Sequence, residues 1–466
     1  MSGLTQYATL KLKTGDTNVD TQNYLTEGHL LRGLITISLP IIAANLLQSV
    51  LEVVDLYFVG RLGADAIAGV AMSSTIIFVL ATFIVGLVTA TTAFISRHYG
   101  AHEHDAVGLI VQHALYIGLA FSFAISAFGL FFSKDLLKLL GANETVATLG
   151  SAYLSVLFLG IFTMVELWVV MSSFQACGNS LTPMILMVGV NIVNIILNPV
   201  LIFGLFGFPA FGVAGSALAT ILSRGAGFVI GMLLLVSYSS HITFPDTWSL
   251  NLTLIWRILT VAIPNSIQSG LRSGTFLVMM AFVAVYGTSA ISGYGIAERL
   301  ELIALMPGFA IATATAVIVG QNLGAKQPHR AEEGVKLALM FYGAIMLAVS
   351  VCYYAFAGQL IGFFDPGGSS ELVGVSYFHT VPPFYLIMAV SIILSFALNG
   401  AGDTKKPMYA TLVSMVLIQI PLAYYLPQYT GLGITGIWIA VITGIIVQAA
   451  LLGYMFRQGN WKTVAL

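Results

Sequence analysis

Twelve runs of apolar residues, each long enough to cross a bilayer, divide this chain at short polar or Gly/Pro breaks. A spanning helix needs about 20 such residues. The runs lie near 34–58, 66–94, 107–132, 147–175, 182–205, 211–238, 254–284, 289–319, 335–357, 374–398, 407–427 and 433–456. Only 8% of the 466 residues are charged and 58% are hydrophobic, whereas an ordinary soluble domain carries about 25% charge. No water-facing surface can be assembled from that supply, so lipid is the solvent for most of the chain. The expected fold class is an all-α membrane protein with twelve transmembrane helices. The bilayer is its first partner, and a net charge of −1 offers no basic face to nucleic acid. No G-x-x-x-x-G-K-[ST] phosphate loop occurs, which excludes an ATP-driven motor within this chain. The expectation is a monomeric transporter without cofactor, not an enzyme.

Lysine and arginine test the helix count. With the N-terminus in the cytoplasm, twelve of the eighteen fall on inside segments and three (Arg61, Lys134, Lys138) on outside loops. The other three, Arg224, Arg272 and Arg299, fall within spans. That bias is the positive-inside signature of an even number of spans, with both termini cytoplasmic and the chain in the cell membrane. The polar stretch to about Glu27 has no apolar h-region and reads as a tail rather than a signal peptide. Cys177 and Cys352 lie in apolar runs and read as buried fillers, not as a disulfide or metal site.

Self-comparison gives the domain organisation. A shift of 224 residues places Pro40 on Pro264, Gly63 on Gly287, Gly69 on Gly293, Thr89-Ala90-Thr91 on Thr313-Ala314-Thr315, and Gly100-Ala101 on Gly324-Ala325. The same shift places Gly178 on Gly402 and Pro183-Met184 on Pro407-Met408. Six spans is an even number, so the halves share one orientation and are related by an axis along the membrane normal. The expected division is a tail at 1–33, an N-lobe at 34–238, a linker at 239–253, a C-lobe at 254–457 and a tail at 458–466. Two pseudo-symmetric six-helix lobes of this kind enclose a central cleft in which substrate binds.

Ionisable residues inside spans cost about 2.5–3.5 kcal/mol on insertion scales, so each is a functional hypothesis. The set is Glu52, Asp55, Glu166, Arg224, Arg272, Glu298, Arg299 and Glu301. Asp55 lies late in the first span, with Gln48 two turns earlier, and Asn194, Asn198 and Ser216 on helices five and six. Asn194 and Asn198, four apart, share a helix face. Pro199 frees a carbonyl from the helical ladder. One carboxylate, two amide oxygens, a hydroxyl and a freed carbonyl are hard oxygen ligands suited to Na⁺ at Asp55, Asn194 and Asn198. The same carboxylate can instead carry a proton. Glu166 is expected to pair with Arg224 or to line the cavity, and Gln48, Glu166, Arg224 and Arg272 are the substrate-cleft candidates. Glu298, Arg299 and Glu301 form a C-lobe polar network that can neutralise itself, while Glu52 can snorkel to the membrane edge. Sixteen Met and 29 Phe supply apolar walls that adapt to varied ligands.

These motifs resemble the multidrug and toxic compound extrusion (MATE) family, in its prokaryotic DinF-like branch. The resemblance rests on Pro40, Gln48, V-D-L-Y-F-V-G-R-L-G (54–63), C-G-N-S-L-T-P-M (177–184), N-I-V-N-I-I-L-N-P (191–199) and G-V-A-G-S-A-L-A-T (212–220). In the second half it rests on Y-G-I-A-E-R-L-E (294–301), M-P-G-F (306–309), V-G-Q-N-L-G-A (319–325) and L-N-G-A-G-D-T-K-K-P (398–407). It implies a V-shaped pair of six-helix lobes and Na⁺- or H⁺-driven export of cationic and amphipathic organic compounds. It also implies that Asp55 is the coupling residue and Asn194 its helix-five partner. The family often has aspartate where this chain has Asn198, which removes one negative charge, and Ser216 takes the place of a family threonine. Acids used by another branch in helices seven and ten appear here as Arg272 and about Met388. The alternative function within the same superfamily is a flippase for lipid-linked precursors, which favours a strongly cationic cavity.

Overall fold

A computed structural model describes residues 24–238, 241–245, 249–368 and 370–466. In hydrocarbon every backbone N–H and C=O must be satisfied within its own segment, so apolar runs become helices. The first half holds α1 (Leu30–Gly60), α2 (Ala64–Gly100), α3 (His104–Leu139), α4 (Glu144–Leu159), α5 (Ile161–Ala176), α6 (Leu181–Phe203) and α7 (Val213–Ser237). The second half holds α8 (Leu252–Ala284), α9 (Thr288–Gly324), α10 (Pro328–Ala355), α11 (Ala357–Phe364), α12 (Glu371–Thr380) and α13 (Tyr385–Gly400). It ends with α14 (Lys405–Thr411), a π-helical stretch (Leu412–Gln419), α15 (Ile420–Tyr429) and α16 (Ile434–Arg457). Among the described residues eleven spans are long and apolar enough to cross a membrane, and the bent pair α4–α5 makes twelve. Large apolar side chains such as Phe123, Phe131 and Trp256 point outward, as a lipid-solvated surface requires.

Some boundaries differ from the hydropathy reading. Helix α10 starts at Pro328 rather than near 335, because its charged first turns extend beyond the apolar run and Pro328 suits the first helical position. Two spans are broken where hydropathy runs straight through. The α4–α5 pair bends by 48° at Gly160. Helices α12 and α13 are separated by a 3₁₀ turn, Pro382–Phe384, where consecutive prolines remove two backbone donors. Gly160 and Phe384 are 224 positions apart, so the irregularity falls at the same place in both halves, although the bend above 40° is found in α4–α5 and not in α12–α13. Cys352 faces outward on α10 instead of filling the interior; Cys177 is buried, and both are free.

Duplication extends to backbone contacts. A methyl group on Gly69 of α2 would sit 2.9 Å from the Gly150 nitrogen of α4, and one on Gly293 of α9 would sit 3.0 Å from the Gly374 nitrogen of α12. Small residues let helix backbones approach this closely in lipid. At the end of the bundle that carries α1's start and the C-terminus, here called the base, the two halves meet directly. Gly100 packs on the Gln321 carbonyl and Gly324 on the Arg97 carbonyl, with no space for a Cβ at either. These two contacts exchange under the 224-residue shift, which places the pseudo-twofold axis between α2 and α9. Gln321 Nε2 donates to the Ala176 carbonyl (2.7 Å), and Asn322 Nδ2 to the Leu25 carbonyl (3.2 Å). Tyr24 Oη donates to Gly178 O (2.7 Å), so the segment before α1 touches both halves. At mid-depth Ser266 Oγ of α8 donates to Phe83 O of α2 (2.8 Å). The opposite end is called the rim.

Candidate functional site

Three asparagines at 191, 194 and 198 follow the i, i+3, i+7 spacing of one helix face, and α6 presents that face to α1. Asn191 Nδ2 donates to the Leu47 carbonyl of α1 (2.9 Å). Asn198 Nδ2 spends both hydrogens, one on Asp55 Oδ1 (2.5 Å) and one on Asn194 Oδ1 (2.7 Å). From α7, Thr220 Oγ1 lies 3.5 Å from Asp55 Oδ2 and accepts from Asn194 Nδ2 at 3.4 Å. Asn194, Asn198 and Ser216 are fully buried. Asp55, Asn194, Asn198 and Thr220 therefore close a ring across α1, α6 and α7, near the rim.

Three oxygens are left over. Asn191 Oδ1, Asn198 Oδ1 and Ser216 Oγ are buried without partners. Unpartnered buried oxygens cost about 1–3 kcal/mol each, a cost retained where an incoming group can use them. Asp55 makes no salt bridge among the described residues. Arg224 instead donates to Met164 Sδ at 3.1 Å. Beside Thr220 and Arg224 a cavity of about 20 Å³ is walled by Met164 and Ile221, which is space for one water. The site thus contains a carboxylate hydrogen-bonded by neutral donors, with spare oxygens, and with the Arg224 guanidinium within electrostatic reach but bonded elsewhere.

Asp55, Asn194 and Asn198 are brought together as their positions suggested. Ser216 contributes its backbone carbonyl to Thr220 (3.1 Å), and the hydroxyl nearest the carboxylate is that of Thr220, one turn on. Asn191 and Thr220 were missed by residue-by-residue reading, although Asn191 continues the helical spacing of the other two asparagines. Gln48 bonds Glu52 on its own helix (3.3 Å).

The expected Glu166–Arg224 pair does not form. Glu166 is buried with both carboxylate oxygens unpartnered and lies against Gly118 of α3. Met164, which Arg224 reaches, is two residues before Glu166, a step of about 200° around the helix. The two side chains therefore leave α5 on nearly opposite faces. The acid–base set on α9 does not neutralise itself either. Arg299 is exposed, whereas Glu301 accepts from Tyr377 Oη and Tyr385 Oη (2.9 Å for the latter). Arg272 has an unpartnered Nε. Among the described residues no group of three or more His, Cys, Asp or Glu side chains is placed to hold a metal.

Comparison with known proteins adds a family. Residues 40–200 and 264–425 each match the family model described as MatE, two matches whose starts are 224 positions apart. A "Probable multidrug resistance protein YpnP" of Bacillus subtilis is 28% identical over 446 residues, spanning 95% of this chain and 98% of the relative. A "Probable multidrug resistance protein NorM" of Thermotoga maritima is 27% identical over 448 residues, spanning 93% of each. A crystal structure described as MATE in the bent conformation superposes with a TM-score of 0.86 at 24% identity, over 95% of this chain and 97% of that one.

Proposed function

Because the chain belongs to the MatE family of membrane transporters, we propose that it is a secondary antiporter that admits Na⁺ or H⁺ and exports cationic and amphipathic organic compounds. One observation carries this reading: the Asp55 carboxylate is set in a membrane span with neutral amide and hydroxyl partners and no salt bridge among the described residues. A carboxylate with a built-in arginine partner has no vacancy for a transported cation. Here Arg224 lies within electrostatic reach but bonds Met164 instead of the carboxylate, and Asn198 Oδ1 and Ser216 Oγ are spare oxygens in the same cluster. Multidrug-type relatives across more than nine-tenths of the chain support the substrate class.

The mechanism follows from the ring's connections. Ion arrival at Asp55 competes with the Asn198 and Thr220 hydrogen bonds, and those bonds fasten α1 to α6 and α7. Loading therefore changes how α1 packs in its half, and Pro40, inside α1, supplies a place to flex. With both termini cytoplasmic, the glycine-packed base serves as the cytoplasmic gate. Binding of ion and of exported compound must then be linked reciprocally through the same change.

The test is efflux of a fluorescent organic cation from proteoliposomes, under a Na⁺ gradient and a pH gradient applied separately. One gradient should drive efflux in the native protein, and Asp55→Asn should remove that dependence while leaving thermal unfolding unaltered. Ion-driven efflux that survives in Asp55→Asn sinks the assignment. Scrambling of a lipid-linked precursor without any cation gradient would replace antiport by the flippase reading.

A further inference from the structure

The second half has its own buried carboxylate, and it is not the counterpart of the first. Asp55 falls on Met279 under the 224-residue shift, so nothing on α8 repeats it. The carboxylate of the second half is Glu301, on α9. Tyr377 comes from α12 and Tyr385 from α13, so its two phenol donors stand on opposite sides of the Pro382–Phe384 break. Both donate to the same oxygen, Oε2. One carboxylate oxygen thereby ties together the two segments of a span whose helical ladder is thinned between them by the two prolines.

The surroundings are aromatic and without a fixed cation. On its own helix Glu301 has Tyr294 and Glu298 nearby, and Arg299 points outward. From α10 it faces Tyr342 and Tyr353, and the Tyr353 hydroxyl is already engaged with Leu300 O (2.7 Å). Tyr377 also packs edge-on against Trp438 of α16, and Tyr294 stacks on the same indole. No Lys, Arg or His forms a salt bridge with Glu301 among the described residues. Tyr342 is fully buried, and its Oη has no partner. A spare phenol beside a carboxylate that already holds two is the signature of a set with more than one hydrogen-bonded arrangement.

We propose that Glu301 is a proton-binding site of the second half, and that its protonation unclamps Tyr377 and Tyr385 and lets α12 pivot on α13 at the Pro382–Phe384 break. A proton fits better than a metal cation. Both phenols present hydrogen to Oε2, and the neighbouring Leu300 carbonyl is occupied, so the oxygen shell that Na⁺ requires is not assembled. The proton comes from water and binds Glu301; no covalent bond of the chain is made or broken. This proposal rests on the ion-driven reading, since in a passive pore a proton-operated joint would have no cycle to serve.

Distance measurement between spin labels tests it on the purified full-length protein. Labels at Leu372→Cys on α12 and Val285→Cys at the rim end of α8, in a chain lacking Cys177 and Cys352, report the angle of α12 within its own half. Both positions are strongly exposed, at 86% and 83%. The expected result is a distance that changes from neutral to acid pH, a loss of that change in Glu301→Gln, and its retention in Asp55→Asn. The double variant Tyr377→Phe/Tyr385→Phe keeps the carboxylate and cuts the clamp, so it should show the acid distance at every pH. A change that persists in Glu301→Gln, that vanishes in Asp55→Asn, or that follows Na⁺ at fixed pH overturns the proposal. Loss of ion-driven efflux in Asp55→Asn is read separately in vesicles, so the joint on α12 can fail while the antiport reading stands, and the reverse.

Discussion

The halves coincide where their backbones touch and diverge where they bury charge. Gly69 on Gly150 is repeated as Gly293 on Gly374, and Gly100 and Gly324 swap places across the pseudo-twofold axis. In the first half a carboxylate on α1 meets a row of asparagines on α6. In the second a carboxylate on α9 meets two tyrosines flanking a helix break. Amides can both donate and accept, so the first site has oxygens to offer a cation. Phenols in a dry aromatic wall offer mainly hydrogens, and the second site acts on the position of a half-helix. Duplication has preserved the contacts that two half-bundles need in order to pack. It has left each half to acquire its own polar chemistry, because one buried side chain can change without moving the helices around it.

The comparison breaks most sharply at the carboxylates. Asp55→Asn should reduce ion-driven efflux to the level of protein-free vesicles, and Glu301→Gln should leave measurable efflux with altered pH dependence. Equal loss in both, assayed in parallel, would mean the halves share one coupling chemistry. Next comes the base. Gly100→Leu and Gly324→Leu each force a side chain into a carbonyl, an overpacking cost of about 1–3 kcal/mol. Each should raise labelling of Ser96→Cys by an impermeant thiol reagent at the base several-fold, and to a similar extent. Unequal effects would show that the seam is not symmetric.

Smaller changes sharpen the first site. Asn198→Ala removes a hydrogen bond to a charged group, worth about 1.5–3 kcal/mol. Because the ion competes with that hydrogen bond, its removal should tighten binding of the driving ion by roughly 10–100-fold in calorimetry. Thr220→Val keeps shape and removes the hydroxyl's long contact with Asp55 together with its Asn194 and Ser216 bonds, so a smaller change of about 1 kcal/mol, several-fold in ion affinity, is expected. The linker titrates separately from both sites. His241 stacks on Tyr238 and meets Tyr99 Oη at 2.8 Å, and burial, aided by His104, lowers its pKa below the ordinary histidine value. Its neutral form is the native one. The stability it contributes is therefore present above about pH 6.5 and is lost as pH falls below that. Amide exchange at 241–245 should quicken on acidification and do so less in His104→Gln. This small background must be subtracted before any pH effect is assigned to Glu301.

The helix count was legible because hydropathy is a sum over about 20 residues, and single errors do not change it. The repeat was legible because glycines and prolines held one spacing through 224 residues. Asp55, Asn194 and Asn198 were legible because polar groups in an apolar run stand out and four-residue spacing puts two of them on one face. The bend of α4–α5 and the 3₁₀ turn between α12 and α13 were not, since hydropathy is blind to backbone direction and pitch. Nor was the partner of each charge. Glu166 and Arg224 were matched by sign and depth, but a two-residue offset turns them away from each other. Glu301 was matched with its neighbour Arg299, whereas its partners lie 76 and 84 residues further along the chain.

By itself, then, the sequence determined the solvent, the number of spans, the duplication and the residues that had to find partners. Those follow from composition and period, which belong to the chain whatever shape it takes. The tertiary structure decided which partner each buried charge found, where the helices are interrupted, and where the two halves pack glycine against backbone. Those are matters of distances between residues far apart in the chain. In a membrane, where apolar faces are nearly interchangeable, close glycine contacts and a few hydrogen bonds settle them.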